Sequence, residues 1–277
     1  MIKPLWPHPA ALIRVQQRRI MVIADLHIGW EMAVSRKGIH LPTQTPKLLG
    51  RLKELLLRYK PEELLILGDV KHTIATAETS EWHDVPDFFN ELRKLVHKTL
   101  VVRGNHDGNL EPLLPENVEL LPATGIILGN VSLFHGHKWP SPDILTCKAM
   151  VMGHVHPVVS LRDPAGFRIT RQVWIKANCN RKELGTTLTQ KHKLGSKGHS
   201  ETRYRGAEFL QLFIMPSFND FLGGRPLNEK KVGVDSKDGV AVGPVLRSQA
   251  VDMEGAETYL LDGSFLGTLE QLRMLSQ

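Results

Sequence analysis

Apolar runs and amphipathic segments alternate through the first 102 residues of the chain. The segment around Pro46 carries leucines at helical spacing with the proline in its first turn, which predicts an amphipathic helix. Alternating strands and helices are typical of right-handed crossovers and a mostly parallel sheet. The predicted elements are a hairpin over 10–15 and 20–24, a helix over 46–59, a strand over 64–67, a helix over 85–98 and a strand over 99–102.

Beyond Pro115 the apolar runs become shorter and are separated by turn residues, which predicts a β-rich second half. Residues 180–206 are rich in Lys, Gly, Ser and Thr, and we expect them to form a long loop. Residues 228–248 are weakly patterned and are also expected to be loop. The predicted strands lie at 118–121, 125–128, 131–134, 148–152 and 208–215, with hairpins over 158–177 and 259–266.

Composition is that of an ordinary globular protein, with 42% hydrophobic and 23% charged residues in 277. No apolar run is long enough for a membrane span, and the proline-broken N-terminus does not resemble a signal peptide, so we expect no membrane partner. Two cysteines, Cys147 and Cys179, occur without metal-ligand spacing, which favours small buried hydrophobes over a disulfide. The expected location is cytoplasmic.

Positive charge is concentrated in one segment. The chain has a formal net charge of +6, and residues 160–205 alone hold 11 Lys and Arg against 3 Asp and Glu. Such a surplus attracts polyanions through counterion release, which makes nucleic acid a candidate partner. The alternative is a solvated basic loop with no partner.

Residues with metal-binding chemistry follow the predicted strands. Asp25 and His27 are two positions apart in extended chain, so both side chains point the same way. Parallel strands place their ligands at their carboxyl ends, where such side chains can meet. The segment 103–107 (Arg-Gly-Asn-His-Asp) could by itself be a plain polar turn. The candidate ligands are Asp25, His27, Asp69, Asn105, His135, His154 and His156.

This donor set indicates the kind of metal. Mixed imidazole and carboxylate ligands suit manganese, iron or zinc better than calcium or magnesium, and the absence of cysteine ligands argues against a structural zinc site. Asp69 lies between two groups of candidates along the chain, so its carboxylate could bridge two ions. Two bridged ions are an arrangement used to hydrolyse phosphate esters.

The motifs Asp-x-His, Gly-Asp, Gly-Asn-His-Asp, His-Gly and Gly-His-x-His occur in this order over residues 20–157. The chain thereby resembles the calcineurin-like metallophosphoesterases. The resemblance implies an α/β fold, a four-layer α/β/β/α sandwich of two mixed sheets flanked by helices. It further implies a single domain over 1–277, in which 160–206 is a basic hairpin and loop insertion and the strands of 207–277 complete the second sheet.

Carried over by motif, the resemblance implies two divalent metal ions and a catalytic histidine. Manganese is favoured, with iron, zinc, nickel or cobalt as alternatives. His106 would face the scissile phosphate, where it stabilises charge or protonates the leaving oxygen. The implied ligands of one ion are Asp25, His27, Asp69 and His156, and those of the other are Asp69, Asn105, His135 and His154.

Four further residues near the motifs have open assignments. Asp107 is expected either to orient a ligand imidazole or to cap the turn. Lys71 and His72 follow the bridging aspartate and are expected to contact substrate phosphate, with plain surface charge as the alternative. His137, two residues after a ligand, would contact substrate or cap its loop.

A narrower resemblance lies in residues 24–31, 67–72 and 216–219 with Gly223-Gly224, which look like the archaeal SbcD-related and bacterial ligase-associated (PdeM-like) phosphoesterases. That group is presumed to act in nucleic-acid repair. The implied function is a metal-dependent phosphodiesterase, a DNA or RNA nuclease in which a metal-bridging hydroxide attacks phosphorus. Association with DNA ligase or helicase machinery and a homodimer are further expectations.

The main alternative is a phosphodiesterase or phosphatase that acts on small nucleotides or other small phosphoesters. A binding module that has lost its chemistry is disfavoured, because every motif residue is present. The native metal, the strandedness of the substrate and the distinction between endonuclease and exonuclease do not follow from the sequence.

Overall fold

Two β-sheets and six α-helices make up the described part of the chain. In this computed structural model, the structure describes residues 2–163, 165–191, 207–229 and 242–275. The strands are β1 (Ile2–Pro4), β2 (Ala11–Val15), β3 (Arg18–Ile23), β4 (Glu63–Leu67), β5 (Lys98–Val102), β6 (Val118–Leu121), β7 (Ile126–Leu128), β8 (Val131–Phe134), β9 (Ala149–Met152), β10 (Val158–Arg162), β11 (Arg168–Asn180), β12 (Phe209–Ile214), β13 (Val251–Leu260) and β14 (Phe265–Thr268). The helices are α1 (Trp30–Ser35), α2 (Thr45–Tyr59), α3 (Thr79–Leu92), α4 (Arg181–Lys191), α5 (Pro244–Arg247) and α6 (Leu269–Leu275).

The first sheet has the order β1-β2-β3-β4-β5-β6. Its first three strands are antiparallel, and β3, β4, β5 and β6 are parallel to one another. Along β3, Ile20 and Val22 pack towards the second sheet, whereas Met21 and Ile23 pack against α2 and α3. Because both faces are covered, the parallel strands read as continuous apolar runs.

The second sheet has the order β14-β13-β11-β12-β9-β8-β7, with β10 paired to β11 outside that path. Its parallel strands are β8, β9 and β12, and the remaining pairs are antiparallel. One face packs on the first sheet, where Trp174 and Met215 meet residues of β3 and β4, and the other packs on α4, α5 and α6. The predicted four-layer α/β/β/α sandwich is confirmed.

The helix predicted over 85–98 is displaced along the chain, since α3 spans Thr79–Leu92. Its start is fixed by a capping box in which the Glu78 side chain accepts the backbone N–H of Glu81 and the Glu81 carboxylate accepts that of Glu78. The spacing of apolar residues does not predict where this helix begins, because its first turn is mostly polar.

The long loop predicted over 180–206 is wrong for its first part, because Arg181–Lys191 form α4. The Asn180 side chain accepts the backbone N–H groups of Lys182 and Glu183, which begins the helix as an N-cap. Leu184 and Leu188, one turn apart, are buried in the core. Residues 192–206 lie outside the described residues.

The remaining sequence predictions are confirmed only in part. Hairpins occur at β2–β3, β10–β11 and β13–β14 as predicted. The loop expected over 228–248 contains the short helix α5, and its residues 230–241 lie outside the described ones. Among the described residues, no helix has the length and apolar character to cross a membrane.

Candidate dinuclear metal centre

The candidate ligands lie where strands of the two sheets end. Strands β3, β4 and β5 are parallel neighbours, so the loops after Ile23, Leu67 and Val102 leave the same edge of the first sheet. Strands β8 and β9 are parallel neighbours in the second sheet and bring their loops to the same place. The residues carried there are Asp25 and His27 after β3, Asp69 after β4, Asn105 after β5, His135 after β8, and His154 and His156 after β9.

The first ligand set consists of Asp25, His27, Asp69 and His156, whose donor atoms lie within 4.8 Å of one another. His27 Nε2 is 3.3 Å from Asp69 Oδ2, and His156 Nε2 is 3.5 Å from Asp25 Oδ1. Both ring nitrogens are buried and neither makes a hydrogen bond. Buried nitrogens that face carboxylate oxygens without hydrogen bonding to them fit a cation held between these groups.

The second ligand set contains Asp69, His135 and His154, again with donor atoms within 4.8 Å of one another. Asn105 joins it, since its Oδ1 is 3.1 Å from His135 Nε2. His135 Nδ1 is 2.7 Å from the carbonyl oxygen of Leu67. A carbonyl only accepts, so Nδ1 carries a proton, and Nε2 is the atom that faces the site and would bind a metal ion.

Asp69 belongs to both sets. Its Oδ2 atom lies 3.3 Å from His27 Nε2 and 3.3 Å from His135 Nε2, so one carboxylate oxygen stands between the two groups of imidazoles. These residues fit a dinuclear centre with nitrogen and oxygen donors.

The electrostatics of the centre follow from opposite charges in a buried space. Burial alone would raise the pKa of Asp25 and Asp69, but the neighbouring histidines outweigh it and hold both pKa values below the usual range. Burial would lower the pKa of His135, yet Asp69 and Asp25 raise it to about 9. The site thus keeps its carboxylates ionised and compensates them with positive charge, which is the role bound cations would take over.

Five of the ligands have a left-handed backbone. This conformation is uncommon for residues other than glycine, and each instance costs on the order of 1 kcal/mol. Strain of this kind persists where the surroundings determine the conformation, and it clusters at functional sites. The φ values are 58° at Asp25, 45° at His27, 52° at Asp69, 68° at His154 and 46° at His156.

Two motif glycines leave room for the ligands. A Cβ atom on Gly68, where φ is +77°, would lie 2.5 Å from His135 Nδ1. A Cβ atom on Gly104 would lie 2.2 Å from Asp69 Oδ1. Larger residues at either position would displace a ligand side chain, so the glycines of the Gly-Asp and Gly-Asn-His-Asp motifs have a direct steric cause.

Asp107 holds backbone rather than an imidazole. Its fully buried carboxylate accepts the backbone N–H groups of Asp69 and Val70 at 2.8 Å and of Gly104 at 2.7 Å. Asp107 therefore links the loops after β4 and β5, and the expectation that it orients a ligand imidazole is wrong. Burial, followed by the charge of Asp69, raises the pKa of Asp107 to about 6.

His106 lies beside both ligand sets. Its backbone N–H donates to Asp69 Oδ1 at 2.8 Å, and its ring centroid is 4.6 Å from that of His27. Its Nδ1 atom hydrogen bonds to the carbonyl oxygen of His72, so Nδ1 carries a proton and Nε2 is the other exchangeable ring position. The donor atoms of His27, His72 and His106 form a third group within 4.8 Å of one another.

The expected substrate contacts divide into a buried residue and two histidines at the site. Lys71 is fully buried, and its ammonium group binds the carbonyl oxygens of Thr73 and Thr76, so its assignment to substrate phosphate is wrong. His72 Nδ1 lies 3.2 Å from His27 Nδ1. His137 stands beside the second set, with its ring centroid 5.2 Å from that of His135. Burial lowers the pKa of His72 and of His137 to about 4.

Two residues that support the site were not assigned from the sequence. The Asn219 side chain donates to the carbonyl oxygen of Leu26 at 3.0 Å, which fixes the turn between Asp25 and His27. Glu81 accepts the backbone N–H of His72 at 3.0 Å. The Glu-x-x-Glu spacing of its capping box could have indicated Glu81, although Ser or Thr is the usual first residue of that motif.

Comparisons with known proteins identify a matching family. The family described as "Calcineurin-like phosphoesterase" matches residues 18–211. The search of curated proteins gives no match.

Among solved structures, the nuclease MPE of Pseudomonas putida is similar over 91% of this chain and 97% of its own, with 20% identity and a TM-score of 0.51. At that identity the likeness concerns the fold. The phosphoesterase Yfce of E. coli is similar over 52% of this chain and 73% of its own, with 23% identity and a TM-score of 0.33.

Proposed function

The chain belongs to the calcineurin-like phosphoesterase family, and from this premise we propose that it is a manganese-dependent phosphodiesterase that cleaves DNA or RNA. The observation that carries the proposal is the position of Asp69 Oδ2, 3.3 Å from both His27 Nε2 and His135 Nε2. A carboxylate shared between two sets of imidazoles can bridge two ions, and a pair of ions is an arrangement used to hydrolyse phosphate esters.

The protein residues have distinct tasks in this proposal. Asp25, His27, Asp69 and His156 would hold one ion, and Asp69, Asn105, His135 and His154 the other. Bound divalent ions would supply a more acidic water and neutralise charge on the phosphate oxygens.

His106 acts on the leaving group. Its Nδ1–H donates to the carbonyl oxygen of His72, so the second proton of the imidazolium lies on Nε2, and the Nε2–H bond is the one that breaks when the departing oxygen is protonated. His72, adjacent to His27 and His106, and His137, adjacent to His135, are proposed to meet the non-bridging oxygens of the substrate.

The nucleic-acid part of the proposal is supported by exposed arginines in the hairpin that follows the ligands. Strand β10 begins two residues after His156 and pairs with β11. Arg162 and Arg171 are exposed on this hairpin, whereas Arg168, opposite Arg162, pairs with Glu229 at 2.6 Å. The exposed guanidinium groups of Arg162 and Arg171 attract a polyanion through counterion release. The Pseudomonas putida nuclease shows that nucleic-acid cleavage occurs on this fold. Membership of the ligase-associated subgroup and a part in DNA repair are proposed on the motif resemblance alone.

The test compares three substrates with the manganese-loaded protein: single-stranded DNA, bis-p-nitrophenyl phosphate and a cyclic nucleotide. We expect cleavage of the DNA and of the aryl diester, and loss of both in Asp69→Ala. Turnover of the small diesters without cleavage of DNA or RNA of any length would refute the nuclease proposal. If none of the three substrates is hydrolysed with manganese, iron, zinc, nickel or cobalt, each tested in turn, the phosphodiesterase proposal is refuted.

A further inference from the structure

A buried carboxylate outside the metal centre is connected to His106 through the backbone. Glu81 lies in the first turn of α3 and is only 1% exposed. It is not a metal-ligand candidate, because its carboxylate oxygens are occupied by backbone N–H groups. Oε2 accepts from Glu78 at 2.9 Å, and Oε1 accepts from His72 at 3.0 Å and from Thr73 at 2.7 Å.

These hydrogen bonds reach beyond the needs of a helix cap. A capping box requires only the Glu78 bond, whereas the bonds to His72 and Thr73 extend to the loop after Asp69. That loop is held from its other side by the buried ammonium group of Lys71, which binds the carbonyl oxygens of Thr73 and Thr76. Two buried charges therefore fix the segment 72–76.

The fixed segment sets the orientation of the proposed acid. The carbonyl oxygen of His72 accepts the Nδ1–H of His106, and this hydrogen bond decides which ring nitrogen is left to face the leaving oxygen. The Glu81 side chain also packs under the turn after His27, because a Cβ atom on Gly29 would come within 3.0 Å of Glu81 Cγ. Because Glu81 Oε1 accepts the N–H groups of His72 and Thr73, a shift of Glu81 would also move the backbone of His72.

We propose that Glu81 is a positioning residue for His106, acting through the backbone of His72 to keep the Nδ1–H of His106 on the His72 carbonyl oxygen, so that Nε2, which carries the transferred proton in the imidazolium, is directed at the leaving oxygen. This inference rests on the proposed function of His106 as the proton donor. It assigns to Glu81 a share in the chemistry that neither its burial nor its place in α3 would give it.

The test uses leaving groups of different acidity. A proton donor matters little for an acidic leaving group such as p-nitrophenol and increasingly for less acidic phenols. We expect Glu81→Ala to lower kcat about tenfold or more for diphenyl phosphate and less than about threefold for bis-p-nitrophenyl phosphate, with metal content unchanged. An equal fall in kcat for both diesters would overturn the proposal.

The matched control is Glu78→Ala. This variant removes the other half of the capping box but leaves the Glu81 bonds to His72 and Thr73 in place. We expect it to lower the melting temperature as Glu81→Ala does, without changing the ratio of the two kcat values. The same ratio change in both variants would show that the effect comes from the helix cap and would contradict the proposal.

A double-mutant cycle and a spectroscopic readout complete the test. In a His106→Ala background, Glu81→Ala should change kcat less than about twofold, because the residue it positions is gone; independent, additive effects would contradict the proposal. In zinc-loaded protein, at a pH at which the His106 ring is neutral, nitrogen-15 NMR should show its proton on Nδ1 in wild type and a mixture of the two tautomers in Glu81→Ala. An unchanged tautomer in the variant would also contradict it.

Should Glu81→Ala fail to fold, Glu81→Leu gives the answer. Leucine keeps an apolar side chain of substantial volume in the buried space but offers no acceptor for the N–H groups of His72 and Thr73. A larger fall in kcat for diphenyl phosphate than for bis-p-nitrophenyl phosphate supports the role, and an unchanged ratio refutes it. If wild type hydrolyses neither aryl diester, the proposed function fails, while the NMR tautomer still tests Glu81.

Discussion

Asp107→Ala removes the link between the loops that follow β4 and β5. In the folded protein its carboxylate accepts three backbone N–H groups, those of Asp69, Val70 and Gly104, at 2.7 to 2.8 Å, and is fully buried. An unsatisfied buried donor costs about 1 to 3 kcal/mol. Three donors lose their acceptor in Asp107→Ala, and water entering the vacated space recovers part of the combined cost. We therefore expect the free energy of unfolding to fall by about 4 kcal/mol.

The assay is urea unfolding of the metal-free protein, followed by tryptophan fluorescence. Asp262→Ala is the control, because Asp262 is exposed and accepts a single backbone N–H, that of Ser264 at 2.8 Å. We expect less than about 1 kcal/mol for this variant. We also expect Asp107→Ala to weaken manganese binding about 10- to 100-fold, since it positions the backbone of Asp69. A stability loss for Asp107→Ala no larger than the control, with unchanged manganese affinity, would refute the reasoning.

Three further predictions address the site. His106→Ala should lower turnover of nucleic acid about 10²- to 10⁴-fold while manganese content, measured by mass spectrometry, stays at the wild-type value; retained turnover would exclude His106 as the proton donor. Gly68→Ala should weaken manganese binding in a calorimetric titration, because its Cβ would lie 2.5 Å from His135 Nδ1; unaltered affinity would show that the loop yields. Replacing Arg162 and Arg171 together by serine should lower the slope of log affinity for single-stranded DNA against log salt by about 1.4, with aryl-diester turnover unaffected. An unchanged slope would place the nucleic-acid contacts elsewhere.

The sequence predicts those parts of the fold that have a characteristic apolar pattern. The strand Glu63–Leu67 and the helix Thr45–Tyr59 were predicted to within a residue, because the strand is a continuous apolar run and the helix carries leucines at helical spacing. The start of α3 was not, because it depends on hydrogen bonds between Glu78 and Glu81. Helix α4 was missed because its composition is polar and only Leu184 and Leu188 face the core.

The site is also predictable from the sequence only in part. Residues that close apolar strands of one sheet, such as Asp25 and Asp69, converge because the parallel neighbours β3 and β4 end at the same edge, and this follows from the order of elements. The surroundings of Lys71 and Asp107 do not follow from it. Whether a charge beside a ligand faces solvent or the interior depends on the path of loops, and both of these charges turn inward to bind backbone groups.

The proposed function requires that the Asp69 carboxylate is shared by two ions. Equilibrium dialysis of wild-type protein and Asp69→Ala against manganese, with the bound metal measured by mass spectrometry, tests this requirement without any substrate. We expect two tightly bound ions per chain in wild type and weakened binding of both in the variant. Two ions bound with wild-type affinity by Asp69→Ala, or a single ion in wild type at saturation, would contradict it.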